Sequence, residues 1–118
     1  MIVGTVSADG VPTLTLLIAG QEWHAVIDTG FNGDLELPED LHAALNARYV
    51  GRVTSALAGG QRIEEDVYVV EFPFDGHILR AEATFVTDKY ILIGTHLLRH
   101  YQLDIDFVEQ SVQLTRKS

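Results

Sequence analysis

The segment Ala25-Val26-Ile27-Asp28-Thr29-Gly30-Phe31-Asn32-Gly33 drives an apolar, β-branched run straight into a carboxylate, a hydroxyl and a glycine. Taking a carboxylate out of water is costly unless something compensates it, so an Asp ending a buried strand marks a candidate site for proton-transfer chemistry. The plainer account of the same residues is an Asp that closes a turn after a strand. A second constellation is His96 and His100, whose spacing on a predicted helix brings two imidazoles within reach of one metal ion, with Asp104 and Asp106 close behind. Here the plainer account, two unrelated histidines on a solvated face, is favoured. Leu97 stands where the His-Glu-x-x-His pattern needs its Glu. No metal and no cofactor is expected. No Gly-x-Gly-x-x-Gly fingerprint, P-loop or serine-elbow motif occurs in the sequence.

The elements that must position Asp28 read mainly as strands. Ile2 to Ser7 and Val11 to Ile18 flank the turn Ala8-Asp9-Gly10, and Thr13 and Thr15 alternate with Leu14 and Leu16. Ala19-Gly20-Gln21 turns the chain into Trp23 to Ile27, which delivers Asp28. Leu35-Glu36-Leu37 is a short extended piece that Pro38 ends. Pro38, Glu39 and Asp40 suit a helix start, and Leu41, Ala44 and Leu45 share a face, which predicts a medium helix over Glu39 to Ala47. Arg52 to Leu57 and Arg62 to Phe72 form a long hairpin with Ala58-Gly59-Gly60-Gln61 at its tip. After the turn at Asp75-Gly76, Ile78 to Thr87 is a strand, and Tyr90-Ile91-Leu92-Ile93-Gly94 is a buried strand ending in glycine. Thr95 can cap a short helix from His96 to Tyr101, and Leu103 to Phe107 and Val112 to Thr115 close the chain. The two glycine-ended strands, Ala25 to Gly30 and Tyr90 to Gly94, are a weak internal echo. Side by side, the second glycine would leave space for the Asp28 loop.

The chain has 118 residues, which predicts a single domain spanning 1–118. Its 47% apolar and 21% charged residues are the balance of an ordinary globule. The formal net charge is -9 with eight Lys and Arg, so no basic face is available for phosphates and no nucleic-acid partner is expected. Cysteine is absent, which removes disulfides and thiolate metal sites. No basic segment followed by an apolar stretch opens the sequence, and the most apolar run, Leu14 to Ala19, is far too short to cross a bilayer. The expectation is a cytoplasmic protein with no membrane partner. Glu64-Glu65-Asp66 would repel acidic substrates if it faced a cleft, although such a run is usually a solvated face.

Asp-Thr-Gly after an apolar strand, a Gly-Gly hairpin, and then Ile-Leu-Ile-Gly followed by Leu97-Leu98 resembles the retropepsin-like aspartic proteases, in particular their small microbial, single-lobe members. The likeness runs from Ile2 to Thr115. It implies a closed β-barrel with a flap hairpin, one medium and one short helix, and aspartic endopeptidase activity. Peptide hydrolysis of that kind needs a base to activate water and an acid to protonate the carbonyl oxygen, and two carboxylates sharing a proton supply both. The chain holds a single Asp-Thr-Gly. The resemblance therefore implies a homodimer with one Asp28 from each subunit at a two-fold axis, acting on an extended peptide or protein substrate.

By the same resemblance, Asp28 is the acid and base, Thr29 bonds across the dimer and Gly30 admits the substrate backbone. Phe31, Asn32, Ala58, Gly59 and Gly60 bind substrate, the last three as the flap tip. Ile93 and Gly94 support the Asp28 loop, with Leu97 and Leu98 packed behind. Met1 to Gly4 and Val112 to Thr115 supply dimer contacts. Two departures stand out. The family usually has a small residue where Phe31 stands, and a large ring there fills a subsite, narrows the cleft or packs inward. The viral enzymes pair an acid just beyond the triplet with an Arg after the second glycine, but Asn32 and Thr95-His96 occupy those places, so that pair is expected to be absent. The alternative reading is a catalytically silent peptide-binding or dimerisation module on the same fold.

Overall fold

Alternation of side chains decides the architecture. Leu14, Leu16 and Ile18 point inward between exposed Thr15 and Leu17, and Val70, Phe72 and Phe74 do the same on a second long strand. The computed structural model describes residues 1–117. Ten strands are present: β1 (Ile2–Val6), β2 (Pro12–Ile18), β3 (Gln21–Ile27), β4 (Leu35–Pro38), β5 (Arg48–Ala56), β6 (Arg62–Phe74), β7 (His77–Val86), β8 (Ile91–Ile93), β9 (Tyr101–Asp106) and β10 (Ser111–Arg116). They form one sheet in the order β5-β6-β7-β4-β8-β3-β2-β1-β10-β9. Residues of β2 touch β6 although four strands separate them in that order, so the sheet curls around its own apolar face. Phe72, Phe74, Leu14, Leu37, Ile93 and Leu114 are sealed in the resulting core.

The mainly-β class is as expected, whereas the closed barrel and both helices are not. The sheet runs open from β5 to β9, and these two edges do not pair among the described residues. Over Glu39 to Ala47 only Glu39–Leu41 is a 3₁₀ turn. Beyond it the bonds mix spacings, from the His42 N–H to the Glu39 carbonyl at 3.1 Å and from Leu45 N–H to the Leu41 carbonyl at 3.1 Å. Leu41 and Leu45 are buried as a helix would bury them, but Asn46 at φ 51° ends the turn and the Leu45 carbonyl is taken by the Glu71 N–H of β6. The segment is too short to propagate a helix against that competition. From His96 to Tyr101 the bonds are of the three-residue type, Thr95 carbonyl to Leu98 N–H and Leu98 carbonyl to Tyr101 N–H, which bury Leu97 and Leu98 together before β9 begins.

β1 pairs antiparallel with β10, Ile2 opposite Leu114 and Thr5 opposite Ser111, and β10 pairs on its other side with β9. The terminal strands thus satisfy each other within one chain, and both edges of β10 are used. The Tyr101 hydroxyl, at the start of β9, donates to Asp75 Oδ2 at 3.1 Å and ties this end of the sheet to the β6–β7 turn.

Leu37 lies in β4 between β7 and β8 and is fully buried. Leu37→Ala is expected to cost about 2–5 kcal/mol of folding stability, measured by urea denaturation, with no loss of strand content in the folded state.

Candidate active site

β3 carries Asp28 to its position because the strand is buried on its apolar face and paired on both sides, to β2 and to β8. The β3–β8 pair is parallel, with Ala25 opposite Ile91 and Ile27 opposite Ile93. One residue further, the Asp28 N–H donates to the Ile93 carbonyl at 3.0 Å. The two glycine-ended strands of the sequence echo do lie side by side.

Beyond the pair, the two loops are laced together. The Gly94 N–H donates to the Asp34 carbonyl at 2.9 Å, the Thr95 N–H to Phe31 at 2.8 Å and the His96 N–H to Gly33 at 3.2 Å. That approach leaves no room at Gly94, where a Cβ would collide with the Gly33 carbonyl oxygen. The Asp28 loop is also closed internally. Gly30 N–H donates to Asp28 Oδ1 at 2.9 Å and Phe31 N–H to the Asp28 carbonyl at 3.1 Å, an Asx turn that fixes the carboxylate's orientation. Asp28 is half-buried, and Thr29 and Gly30 are exposed. The Thr29 hydroxyl makes no hydrogen bond within the chain among the described residues.

Phe31 packs its ring over two glycines, about 2.8 Å from where a Cβ would stand at Gly33 and at Gly94. The ring fills the slot those glycines leave, yet it is only half-buried and still lines the adjoining cavity. Asn32 beside it is exposed.

A different pair, Asp34 with His96, links the two loops. Asp34 is the one buried charged residue among the described residues, 9% exposed. His96 Nδ1 lies 2.5 Å from its Oδ1, and its Oδ2 accepts the Glu82 N–H of β7 at 2.9 Å. Asp34 therefore joins three segments, and His96 is turned to it rather than toward His100. Neither role was visible from spacing to the triplet. The available signal was a charged residue immediately before the buried Leu35-Glu36-Leu37, with a polar residue just after Gly94.

A cavity of about 400 Å³ opens beside this loop. Phe31 and Asn32 form one wall, Leu35, Glu36 and Ala83 the floor, and Val53, Ser55, Glu65 and Val67 of the β5–β6 hairpin the other wall. The hairpin turns tightly, Leu57 N–H to the Gln61 carbonyl at 2.7 Å, with Gly59 and Gly60 at φ 92° and 83°. Its tip, Ala58 to Gly60, is exposed and outside the cavity wall, which the stem provides. Burial pushes the Glu36 carboxyl up from its ordinary value, and the charges of Glu65, Asp88 and Asp28 add to the effect. Glu36 is thus near enough to Asp28 to feel its charge.

No family model matches the sequence, and no curated protein matches it. The three-dimensional comparison is more informative. A retropepsin-like aspartic protease from Rickettsia conorii superposes with a TM-score of 0.65 at 16% identity, over 96% of this chain and 88% of that one. The fold is retropepsin-like. The simian foamy virus (mac) protease shares the retropepsin-like arrangement with a TM-score of 0.57 at 23% identity, over 74% of this chain and 91% of its own. The foamy viral protease-reverse transcriptase, solved with an RNA/DNA hybrid, matches with a TM-score of 0.60 at 20% identity, over 80% of this chain but 13% of that much longer one.

A raised carboxyl pKa makes the folded chain hold its proton more tightly than the unfolded chain, so the penalty on folding builds as pH rises past the unfolded value and is complete once pH passes the raised one. Below about pH 4 the penalty is absent in both states. Glu36→Gln is therefore expected to raise Tm at pH 7 and to leave it unchanged at pH 3.5, measured by thermal denaturation at both values.

Proposed function

We propose that the protein is a homodimeric aspartic endopeptidase in which Asp28 of each subunit forms the catalytic pair. The observation that carries this reading is the placement of Asp28. The carboxylate ends a buried strand and is oriented by the Gly30 N–H, and the loop it begins continues through Phe31 and Asn32 into the wall of a cleft faced by a hairpin, on a retropepsin-like fold. The chain holds one Asp-Thr-Gly, so the second carboxylate must come from a second copy.

In the proposed dimer the two carboxylates lie about 3 Å apart, too close for both to ionise, and hold one proton between them. The ionised member takes a proton from a water molecule as that water attacks the peptide carbonyl carbon. The protonated member gives its proton to the carbonyl oxygen. Collapse of the resulting diol breaks the C–N bond and returns a proton to the leaving nitrogen. The pair titrates as a unit. Thr29, exposed and without a side-chain hydrogen bond among the described residues, is placed to bond to the partner's loop and keep the carboxylates coplanar. Gly30 lets a substrate backbone approach, Phe31 and Asn32 wall the subsite, and the Ala58-Gly59-Gly60 tip closes over an extended peptide. Ile93 and Gly94 hold the floor through the parallel pair and the loop lacing.

No helix among the described residues is long and apolar enough to cross a membrane. A cytoplasmic location and peptide rather than nucleic-acid partners belong to the same proposal.

Two outcomes test it together. Asp28→Asn is expected to lower peptide cleavage by about 10⁴-fold while circular dichroism and dimer mass are retained. Specific activity of the parent should fall on dilution through the dimer dissociation midpoint, followed with a quenched fluorescent peptide. Undiminished cleavage by Asp28→Asn, or by dilute monomer, contradicts the reading; binding of the peptide without cleavage by the parent favours a silent module.

A further inference from the structure

The charges around the cleft do not balance. Asp34 is taken by His96, and Arg52 holds both Glu64 at 3.3 Å and Asp66 at 3.3 Å. Besides the exposed Glu82, what remains lining the cavity is Glu36 on its floor and Glu65 on its hairpin wall. Among the described residues, neither has a Lys, Arg or His nitrogen within ion-pair distance. The Glu65 charge raises the cost of ionising Glu36, and Asp28 adds to it. A second cavity of about 560 Å³ adjoins the first through Glu65 and Thr84, and Glu39 opens into it without a cationic partner. The basic group there is His42, whose ring rests against Tyr68 and Phe85 at 4.9 and 4.8 Å.

Most of the larger side chains around the inner cavity are apolar, with Asn32, Ser55 and Thr84 between them. Phe31, Leu35, Val53, Val67 and Ala83 surround its space, with the two open carboxylates set among them. An aliphatic lining that ends in unpaired negative charge fits one kind of guest, a long methylene stem carrying a cation. A neutral apolar side chain would fill the space and leave both carboxylates desolvated and unpaired, and an acidic one would add a third negative charge.

We infer that the cavity formed by Phe31, the β4–β7 floor and the hairpin stem selects an Arg or Lys side chain of the substrate, whose charge is received between Glu36 and Glu65. This rests on the reading of the cleft as a peptide-cleaving site and adds the class of peptide that it takes. Arg has the advantage over Lys, since its planar fork reaches two carboxylates at once.

The test uses octapeptides in which one residue at a time is either Arg or citrulline, its uncharged near-isostere. Cleavage is measured as kcat/KM with the full-length parent, and binding by fluorescence anisotropy with Asp28→Asn. Each Arg-to-citrulline ratio is taken within one protein, so losses common to both peptides cancel. At one position the parent is expected to prefer Arg by about tenfold, the discrimination of a hydrogen bond to a charged group. The preference should shrink with added salt. It should fall to about one in Glu36→Gln/Glu65→Gln, whose fold is checked by its thermal transition, and reappear as a binding preference in Asp28→Asn. Cleavage with no preference for Arg at any position overturns the inference and leaves the proposed hydrolysis standing, as does a preference the double variant retains. Absence of cleavage with a tenfold binding preference for Arg, lost in the double variant, contradicts hydrolysis and supports the charge selectivity of the cleft. Neither cleavage nor preferential binding overturns both.

Discussion

The close backbone contact between the loop after β3 and the loop after β8 is the constraint on which the site depends. Parallel pairing of two short buried strands brings their ends together, and three N–H groups from Gly94, Thr95 and His96 then find carbonyls on the Asp28 loop. Such groups cannot be left unpaired at the edge of a core, so the loop has little freedom once the strands have paired. The lacing demands glycine at position 94, and the glycines at 33 and 94 in turn create the slot that the Phe31 ring occupies. Asp34 extends the same constraint to β7 through the Glu82 N–H and to His96 through its other oxygen. Asp28 is thereby held by the lacing of the two loops.

The rest of the sheet serves this arrangement. Curling places the β5–β6 hairpin beside the Asp28 loop and closes a cavity between them, while β4 and β7 supply its floor. The floor carries Glu36, whose carboxyl is pushed up by burial and by neighbouring carboxylates. Carboxylates such as Glu36 and Glu65, without an ion-pair partner among the described residues, are a costly feature to keep at the edge of a core. At the other end of the sheet, the two terminal strands complete each other's hydrogen bonds.

Much of this was legible in the residues. Strand alternation at Leu14, Leu16 and Ile18, the turn at Asp75-Gly76 and the Gly59-Gly60 tip all mark elements that the structure contains. The likeness of the two glycine-ended strands pointed to their pairing because both carry an apolar run that must be buried on two sides. The helices were misread because Leu41 with Leu45, and Leu97 with Leu98, are buried by short turns as readily as by an α-helix, and periodicity over so few residues does not separate them. The barrel was taken from the resemblance, and the strand order is open. Asp34 escaped notice because its partners, His96 and the Glu82 N–H, are distant in sequence, and spacing alone carries no trace of such contacts.

Hydrolysis by a shared proton requires the two Asp28 carboxyl groups to meet in the assembled protein. A crystal structure of the protein with a pepstatin-type peptide analogue measures that separation directly. Two chains related by a two-fold axis, with Asp28 oxygens within about 3 Å of one another and both facing the analogue, are the predicted result. A monomer with the analogue bound beside a solitary Asp28, or a dimer that keeps the two carboxyl groups far apart, would contradict it.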